Sequence, residues 1–451
     1  MNWHKYLNPG RLRPTTRTKE LDLRNEFESD LGRVIFSPAI RRMHDKTQVF
    51  PLTDNDNIHS RLTHSLEVMS VGYSIALNLS QNKAFLRKVT LENEVIFREI
   101  PIIIKSACLV HDIGNPPFGH FGEFVIQDYF KKLFAQKDQN GNCRYDVSSA
   151  QQRDFTLFDG NAQGFRVLTK LQILDDIYGL NLTYATLASF LKYPNADNVV
   201  KDSLYCKKRG VFESERDFLD QIIENCDLLV NGKNIRHPLS YIMEAADSIC
   251  YLVMDIEDAF NKKWYDFPFI QREFQRNKII HDFIDEIEKQ GDISENKKVV
   301  NLRLALIKYL VNLTVLNYID NVENICQGNY NQELIFDDSN QIAKDLSDFC
   351  YAQIYAHKEI TNIELTGYSV LSGLLDFYID FCFNETEKFR EKAVASISKS
   401  IIKAALLESN VDKFDDLSDY YKLKVIVDFI SGMTDQYALN QYQRISGQKI
   451  N

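Results

Sequence analysis

Residues His111–Glu123 read HDIGNPPFGHFGE and follow an apolar run, PIIIKSACLV, at Pro101–Val110. The run reads as a buried helix with Pro101 in its first turn, where a missing N–H is tolerated. The sequence Ile-Gly-Asn-Pro-Pro then stops it, because the prolines cannot continue a helix. A helix that ends in His111-Asp112 presents two polar side chains where the core opens to solvent. Thirteen residues hold two imidazoles, two carboxylates, a proline pair and three glycines.

His111 and Asp112 offer a nitrogen and an oxygen donor, suited to a borderline or hard divalent ion. Neighbours on a regular helix point about 100° apart, so both reach one ion only at a helix end. Gly114 and Pro116 supply that ending. A His-Asp pair is common by chance and two ligands make a weak site, so others are needed. The segment HSRLTHSLEV places His64 in the first turns of a helix that continues through Val68, Val71 and Ile75. Much later, YIMEAADSICYLVMDIEDAF puts Asp247 inside a strongly apolar helix, where an unpaired carboxylate is costly. His64, His111, Asp112 and Asp247 form a candidate set of two histidines and two aspartates.

Three spacings add to this set. Arg61 precedes His64 by three residues and shares its face, so a phosphate can bridge guanidinium and ion. The competing reading is an ordinary surface arginine. His120 and Glu123 stand at i,i+3, a base with a carboxylate to orient it. The competing reading there is a helix-start pair that neutralises the N-terminus. Asp247, Tyr251 and Asp255 recur every four residues and line one face, roughly 6 Å per turn. Glu244 and Asp258 fall off that face and read as structural or solvated.

The ordered pattern His64, His111-Asp112, Asp247, with HDIGNPPFGHFGE and EAADSICYLVMDIED around it, resembles the HD-domain superfamily. The resemblance is specifically to its deoxyguanosinetriphosphate triphosphohydrolase branch. FSPAIRRMHDKTQVFP, RLTHSLEV, FDGNAQGFRVLT, LNLTYATLASFLKYP and SGMTDQYAL extend it over most of the chain. It implies an all-α fold: an HD-type helical core over residues 1–270, with an insertion at about 131–154, and a C-terminal helical region, 271–451, packed on it. It also implies that Gln48 contacts sugar or base, that Lys192 and Tyr193 lie near a triphosphate, and that Tyr251 and Asp255 bind the deoxyribose and its 3′-hydroxyl. A carboxylate-supported histidine of the family matches His120. The implied cofactor is one divalent ion per subunit, magnesium or manganese, and the implied substrate a dNTP, with dGTP preferred. Family members assemble as homo-oligomers, often hexamers, and some respond to a nucleotide or single-stranded DNA effector. The chain departs from the family at LTGYSVLSGLLDFY. There Ser369 stands where an arginine often follows Gly-Tyr, which puts one triphosphate cation in doubt.

The net charge of −10 argues against nonspecific nucleic-acid binding by the whole surface. An anionic substrate then needs a concentrated positive patch, for which Arg11, Arg13, Arg17, Lys19, Arg41, Arg42, Lys46 and Arg61 are available. Eight cysteines without CxxC spacing fit reduced thiols in a cytoplasmic protein. The start lacks the apolar stretch of a signal peptide, and no apolar run approaches membrane-spanning length, so no membrane association is expected. No phosphate-binding P-loop or dinucleotide fingerprint occurs.

Residues 1 to about 20 read as a Pro- and Arg-bearing arm, and Glu20–Arg42 as helical. KTQVFPLTDNDNIHS reads as a short extended piece and a polar loop. The 131–154 stretch, with its Asn-Gly signal, reads as a small hairpin lying over the core. His281 and His357 read as surface histidines.

Together these readings predict hydrolysis of dGTP, and of other dNTPs, to deoxynucleoside and inorganic triphosphate through water attack at the α-phosphorus. His120 would handle the proton of the water or of the departing 5′-oxygen, and the sequence leaves that choice open. The alternatives are another HD phosphohydrolase, acting on nucleoside monophosphates or signalling nucleotides, and a nucleotide- or DNA-responsive binding protein.

Overall fold

The computed structural model describes residues 3–13, 22–50, 52, 57–136, 143–172 and 176–449. Among these the chain forms 21 α-helices. The strands are a two-residue ribbon pairing Leu229 with Asn234 and Val230 with Lys233. The all-α expectation is met.

Three helices build the centre. Ile100–Val110 carries the apolar run, with Pro101 in its first turn as expected. Ile103, Ile104, Ala107, Cys108 and Val110 are wholly buried. Each such aliphatic side chain contributes about 1.5–3 kcal/mol relative to exposure. Arg61–Gln81 starts from Ser60, whose side chain accepts from Thr63 N while Thr63 reaches back, a reciprocal cap. Pro238–Asn261 starts with Pro238 after His237, whose Nδ1 accepts from Leu239 N at 3.1 Å. Burial pushes the His237 imidazole down to about 4, so it stays neutral and its Nε2–H donates to the Tyr6 carbonyl at 2.9 Å. The three helices pack on one another.

Two apolar clusters result. The larger takes in Trp3 and Tyr6, the three central helices, and the chain from Phe267 to Ile360. The smaller joins the Gly119–Ala135 helix to residues 370–438. A buried ion cluster is shared between segments of both: Arg166 pairs with Glu215 at 2.6 Å, Asp428 at 2.8 Å and Glu408 at 3.0 Å.

Several expectations need correction. Residues 3–13 are not an arm. Trp3, Tyr6, Leu7 and Leu12 are buried, and Arg11 is closed into pairs with Glu26 and Asp30. Arg17 and Lys19 lie outside the described residues. The 131–154 stretch is not a hairpin laid over the core. Helix runs to Ala135, a second helix spans Ser149–Thr156, and Tyr145 and Val147 are buried in the smaller cluster. Its Asn-Gly turn lies outside the described residues. His357 is half-buried and stacked on Trp264, ring centroids 3.5 Å apart. One helix, Glu295–Cys326, is long and apolar enough to cross a membrane by length and composition. Its stripe of Leu302, Leu306, Leu310, Thr314, Tyr318 and Val322 is buried in the protein, while Leu304 and Leu316 are exposed.

Candidate metal centre and its cavity

The helix that ends at Val110 gives way to a turn at His111–Gly114, and this break aims both His111 and Asp112 inward. His111 Nδ1 donates to the Cys108 carbonyl at 2.7 Å, which leaves Nε2 as the lone-pair nitrogen. That Nε2 is buried and makes no well-formed hydrogen bond, though Asp247 Oδ1 lies 3.3 Å away. His64 Nε2 lies 3.2 Å from the same oxygen. Ligand atoms of His64, His111 and Asp247 all fall within 4.8 Å of one another. Asp112 Oδ2 is 3.7 Å from His111 Nε2 and pairs with Arg61 Nη1. Two imidazoles from separate helices and two carboxylates, with an orphaned buried nitrogen among them, fit a divalent cation.

Charge at the centre is balanced by cations of the protein. Burial would raise the Asp112 carboxyl, but the Arg61 guanidinium holds it well below the usual range. Burial likewise opposes ionisation of Asp247, and Lys192 overcomes it. Lys192 Nζ donates to Asp247 Oδ2 at 3.1 Å, and its own pKa is raised because Asp247 and Glu244 outweigh burial. Arg236 Nε holds the Lys192 carbonyl at 2.8 Å while its guanidinium pairs with Glu244. Glu244 is thus a brace, as expected for a residue off the Asp247 face. Asp258 is one too, pairing with His59 Nδ1 at 2.8 Å.

The centre opens into a cavity of about 520 Å³. Its lining brings together Gln48, Arg61, His111, Asp112, His120, Lys192, Tyr193, Asp247, Tyr251 and Asp255. His64 and Glu123 sit behind this wall. Gln48 Oε1 accepts from Arg61 Nη1 at 3.4 Å. His120 projects with its side chain 77% exposed, and its Nδ1 lies 3.1 Å from the buried Glu123 Oε2. The Glu123 charge raises the imidazole pKa. Glu123 Oε1 accepts from Gly160 N at 2.7 Å, which fixes the carboxylate from the far side. Asp255 is buried, and burial pushes its carboxyl up to about 8 although Tyr355 donates to it at 2.6 Å.

The turn that aims His120 is strained. Phe118 lies at φ 61° and Gly119 at φ 57°. A left-handed phenylalanine costs on the order of 1 kcal/mol. Gly119 accepts such a φ freely, and a Cβ there would sit 2.7 Å from Arg61 Nη2, so a side chain at this position would press on the guanidinium.

Of the cations expected to form one patch, only Arg61 lines this cavity among the described residues. Arg13, Arg42 and Lys46 face a separate cavity of about 820 Å³. Arg41 lines neither. Lys46 is buried and donates to the Asn115 and Ser431 carbonyls at 2.6 and 2.8 Å. A cavity-lining cation that the sequence reading missed is Lys208, 2.7 Å from Asp159 and 3.9 Å from Glu123. Its signal was the basic triplet Lys207-Lys208-Arg209, of which Arg209 turns inward to Asp154. Asn115, whose Nδ2 holds Asp112 Oδ1 at 2.7 Å, and Tyr355 were missed as well. Ser369 is exposed and bonds only its own helix, at Leu365 O.

Comparison with known proteins bears on this arrangement. A family profile described as HD domain matches residues 61–148, and one described as phosphohydrolase-associated domain matches residues 337–444. The chain is 33% identical to a deoxyguanosinetriphosphate triphosphohydrolase-like protein of Listeria monocytogenes, over 99% of this chain and 100% of the relative. It is 32% identical to the deoxyguanosinetriphosphate triphosphohydrolase of an Enterobacter species, over 99% of this chain and 97% of the relative. A probable deoxyguanosinetriphosphate triphosphohydrolase of Pseudomonas aeruginosa is 32% identical, over 94% and 93%. With the His-Asp centre at the break of its apolar helix and relatives matched nearly end to end, this chain belongs to the deoxyguanosinetriphosphate triphosphohydrolase family of HD-domain phosphohydrolases.

Proposed function

We propose that this chain hydrolyses dGTP, and other dNTPs less well, to deoxynucleoside and inorganic triphosphate by water attack at the α-phosphorus. The observation that carries the reading is one cavity with His111 and Asp247 in its wall, His64 directly behind them, and His120, backed by Glu123, also in its lining. His64, His111, Asp112 and Asp247 would hold one magnesium or manganese ion per subunit, which when bound would supply Lewis-acid chemistry toward the phosphate and water.

The remaining roles belong to the protein. Arg61, Lys192 and Lys208 neutralise phosphate charge as it shifts in the transition state, Lys208 standing in for the arginine that Ser369 replaces. His120, oriented by Glu123, takes the proton of the water or supplies one to the 5′-oxygen. Tyr251 packs on the deoxyribose and leaves no room for a 2′-hydroxyl. Asp255, with Tyr355 beside it, receives the 3′-hydroxyl. Gln48 and Tyr193 contact sugar or base and the triphosphate. Residues 1–270 carry the chemistry, and 271–451 close one side through Tyr355, Ile360 and Glu364. Homo-oligomeric assembly, a hexamer among its forms, cytoplasmic localisation, and a nucleotide or single-stranded DNA effector belong to the same proposal.

Product analysis with each dNTP and GTP, in magnesium or manganese, tests the reading. Triphosphate and deoxyguanosine are expected. Pyrophosphate or orthophosphate would place cleavage at another phosphorus and sink the α-attack.

A further inference from the structure

Asp435 is the first residue of the last helix, Asp435–Ile445, and its side chain does not cap that helix. Thr434 does so, accepting from Tyr437 N at 3.2 Å. The Asp435 carboxylate is buried and turned toward the active site, yet it does not line the cavity. Its Oδ2 accepts from Thr47 N at 2.9 Å and from Thr47 Oγ1 at 2.5 Å. Its Oδ1 accepts from Phe118 N at 2.9 Å. Thr47 adjoins Gln48. Phe118 is the left-handed residue whose turn aims His120. One carboxylate, more than three hundred residues away in sequence, therefore joins two loops that both line the cavity.

The same C-terminal region locks the turn from its other side. The Phe118 ring lies over Gly367, where a Cβ would come within 2.7 Å of the ring. Four residues before Asp435, the Ser431 carbonyl accepts from Lys46, the neighbour of Thr47. A left-handed non-glycine residue persists only where surrounding contacts over-determine it. Here the Asp435 bond and the Gly367 clearance do so.

We propose that Asp435 is a positioning residue for catalysis, its carboxylate clamping the Gln48 loop and the Phe118–Gly119 turn into one rigid unit. The inference rests on the dNTP-hydrolase reading for its kinetic consequences, but the clamp itself is testable without turnover. In Asp435→Asn the amide nitrogen faces one of the N–H donors and that bond is lost. Amide exchange at Thr47 or Phe118 is expected to rise about tenfold or more, with Mn²⁺ affinity unchanged, because no ion ligand is touched. With dGTP, kcat/KM is expected to fall roughly 100-fold, through higher KM at the Gln48 edge and lower kcat at His120. Thr47→Val removes only the hydroxyl donor. It is expected to raise KM alone and to leave the Phe118 amide protected. Should Asp435→Asn not fold, Thr47→Val decides the question by kinetics: a raised KM with kcat unchanged supports the clamp, and an unchanged KM overturns it. For Asp435→Asn, a lowered Tm with unchanged exchange at both amides, or with kcat and KM unchanged, would overturn the clamp. If the wild-type protein turns over no dNTP, the hydrolase reading fails, while the exchange result still decides the clamp.

Discussion

Asp112 stands between the ion site and a cation of the protein, so removing it has two separable consequences. In Asp112→Ala the Arg61 guanidinium, 4% exposed, loses its carboxylate. A buried charge left without its partner costs about 3 kcal/mol, so urea denaturation of the metal-free variant should show that deficit. Calorimetric titration should show Mn²⁺ affinity lowered by at least about tenfold, and turnover should vanish. The His120–Glu123 pair makes a prediction about pH. Glu123 raises the His120 pKa, so Glu123→Gln should let it fall back toward about 6.5. If neutral His120 accepts the proton of water, the acidic limb of kcat/KM moves to lower pH. If imidazolium supplies the 5′-oxygen, the basic limb does. An unmoved profile would remove His120 from proton transfer. These proposed roles were legible from residue type and spacing. The arrangement that makes His111 Nε2 a lone pair was not, because it depends on the Cys108 carbonyl at the helix end.

At the scale of elements, the ion site requires the helices carrying His64 and His111 to approach closely. Gly72 permits it: a Cβ there would meet Cys108 Sγ at 2.6 Å and Ile104 Cγ2 at 3.0 Å. Gly72→Val should force the two helices apart, at a cost of about 1–3 kcal/mol from overpacking. Two turns separate it from His64, so Mn²⁺ affinity should fall although no ligand is changed. A normal titration with lowered Tm would show that the site tolerates the shift. Helix identities were readable from periodicity, and Pro101 sits in the first turn it signalled. The 131–154 stretch was misread because its turn residues outweighed two short helical pieces. Those pieces gain stability from tertiary packing of Tyr145, Val147 and Phe155, which local pattern does not record.

For the whole molecule, Arg166 links segments that belong to both apolar clusters. Arg166→Met would leave Glu215, Glu408 and Asp428 buried with Lys170 and Lys424 as their remaining cations. Denaturation at pH 8 should show a loss of about 3–5 kcal/mol. Burial alone would raise the Glu215 carboxyl, and Arg166 foremost holds it below its ordinary value. The wild type therefore loses this stabilisation as pH falls, while the variant's unpaired carboxylates protonate and cost less. The deficit should narrow toward about pH 4. A deficit independent of pH would mean that packing, not charge, decides the loss.

The helical class, the break after Val110 and the candidate ion-site residues were all legible in the sequence, because periodicity and ligand chemistry are local or compositional. The sequence also named about half of the cavity wall: i,i+3 and i,i+4 spacings fix which side chains share a face, while Gln48, Lys192 and Tyr193 came from the family resemblance. Only the tertiary structure decided where the cations go. Arg11 closes on Asp30, Lys46 is buried behind Asn115, and Lys208 comes to the cavity instead. Long cationic side chains carry no periodic signal of their destination, and burying one depends on a carboxylate or carbonyl that the fold brings from far away in the chain. The reach of Asp435 to Thr47 and Phe118 is of the same kind.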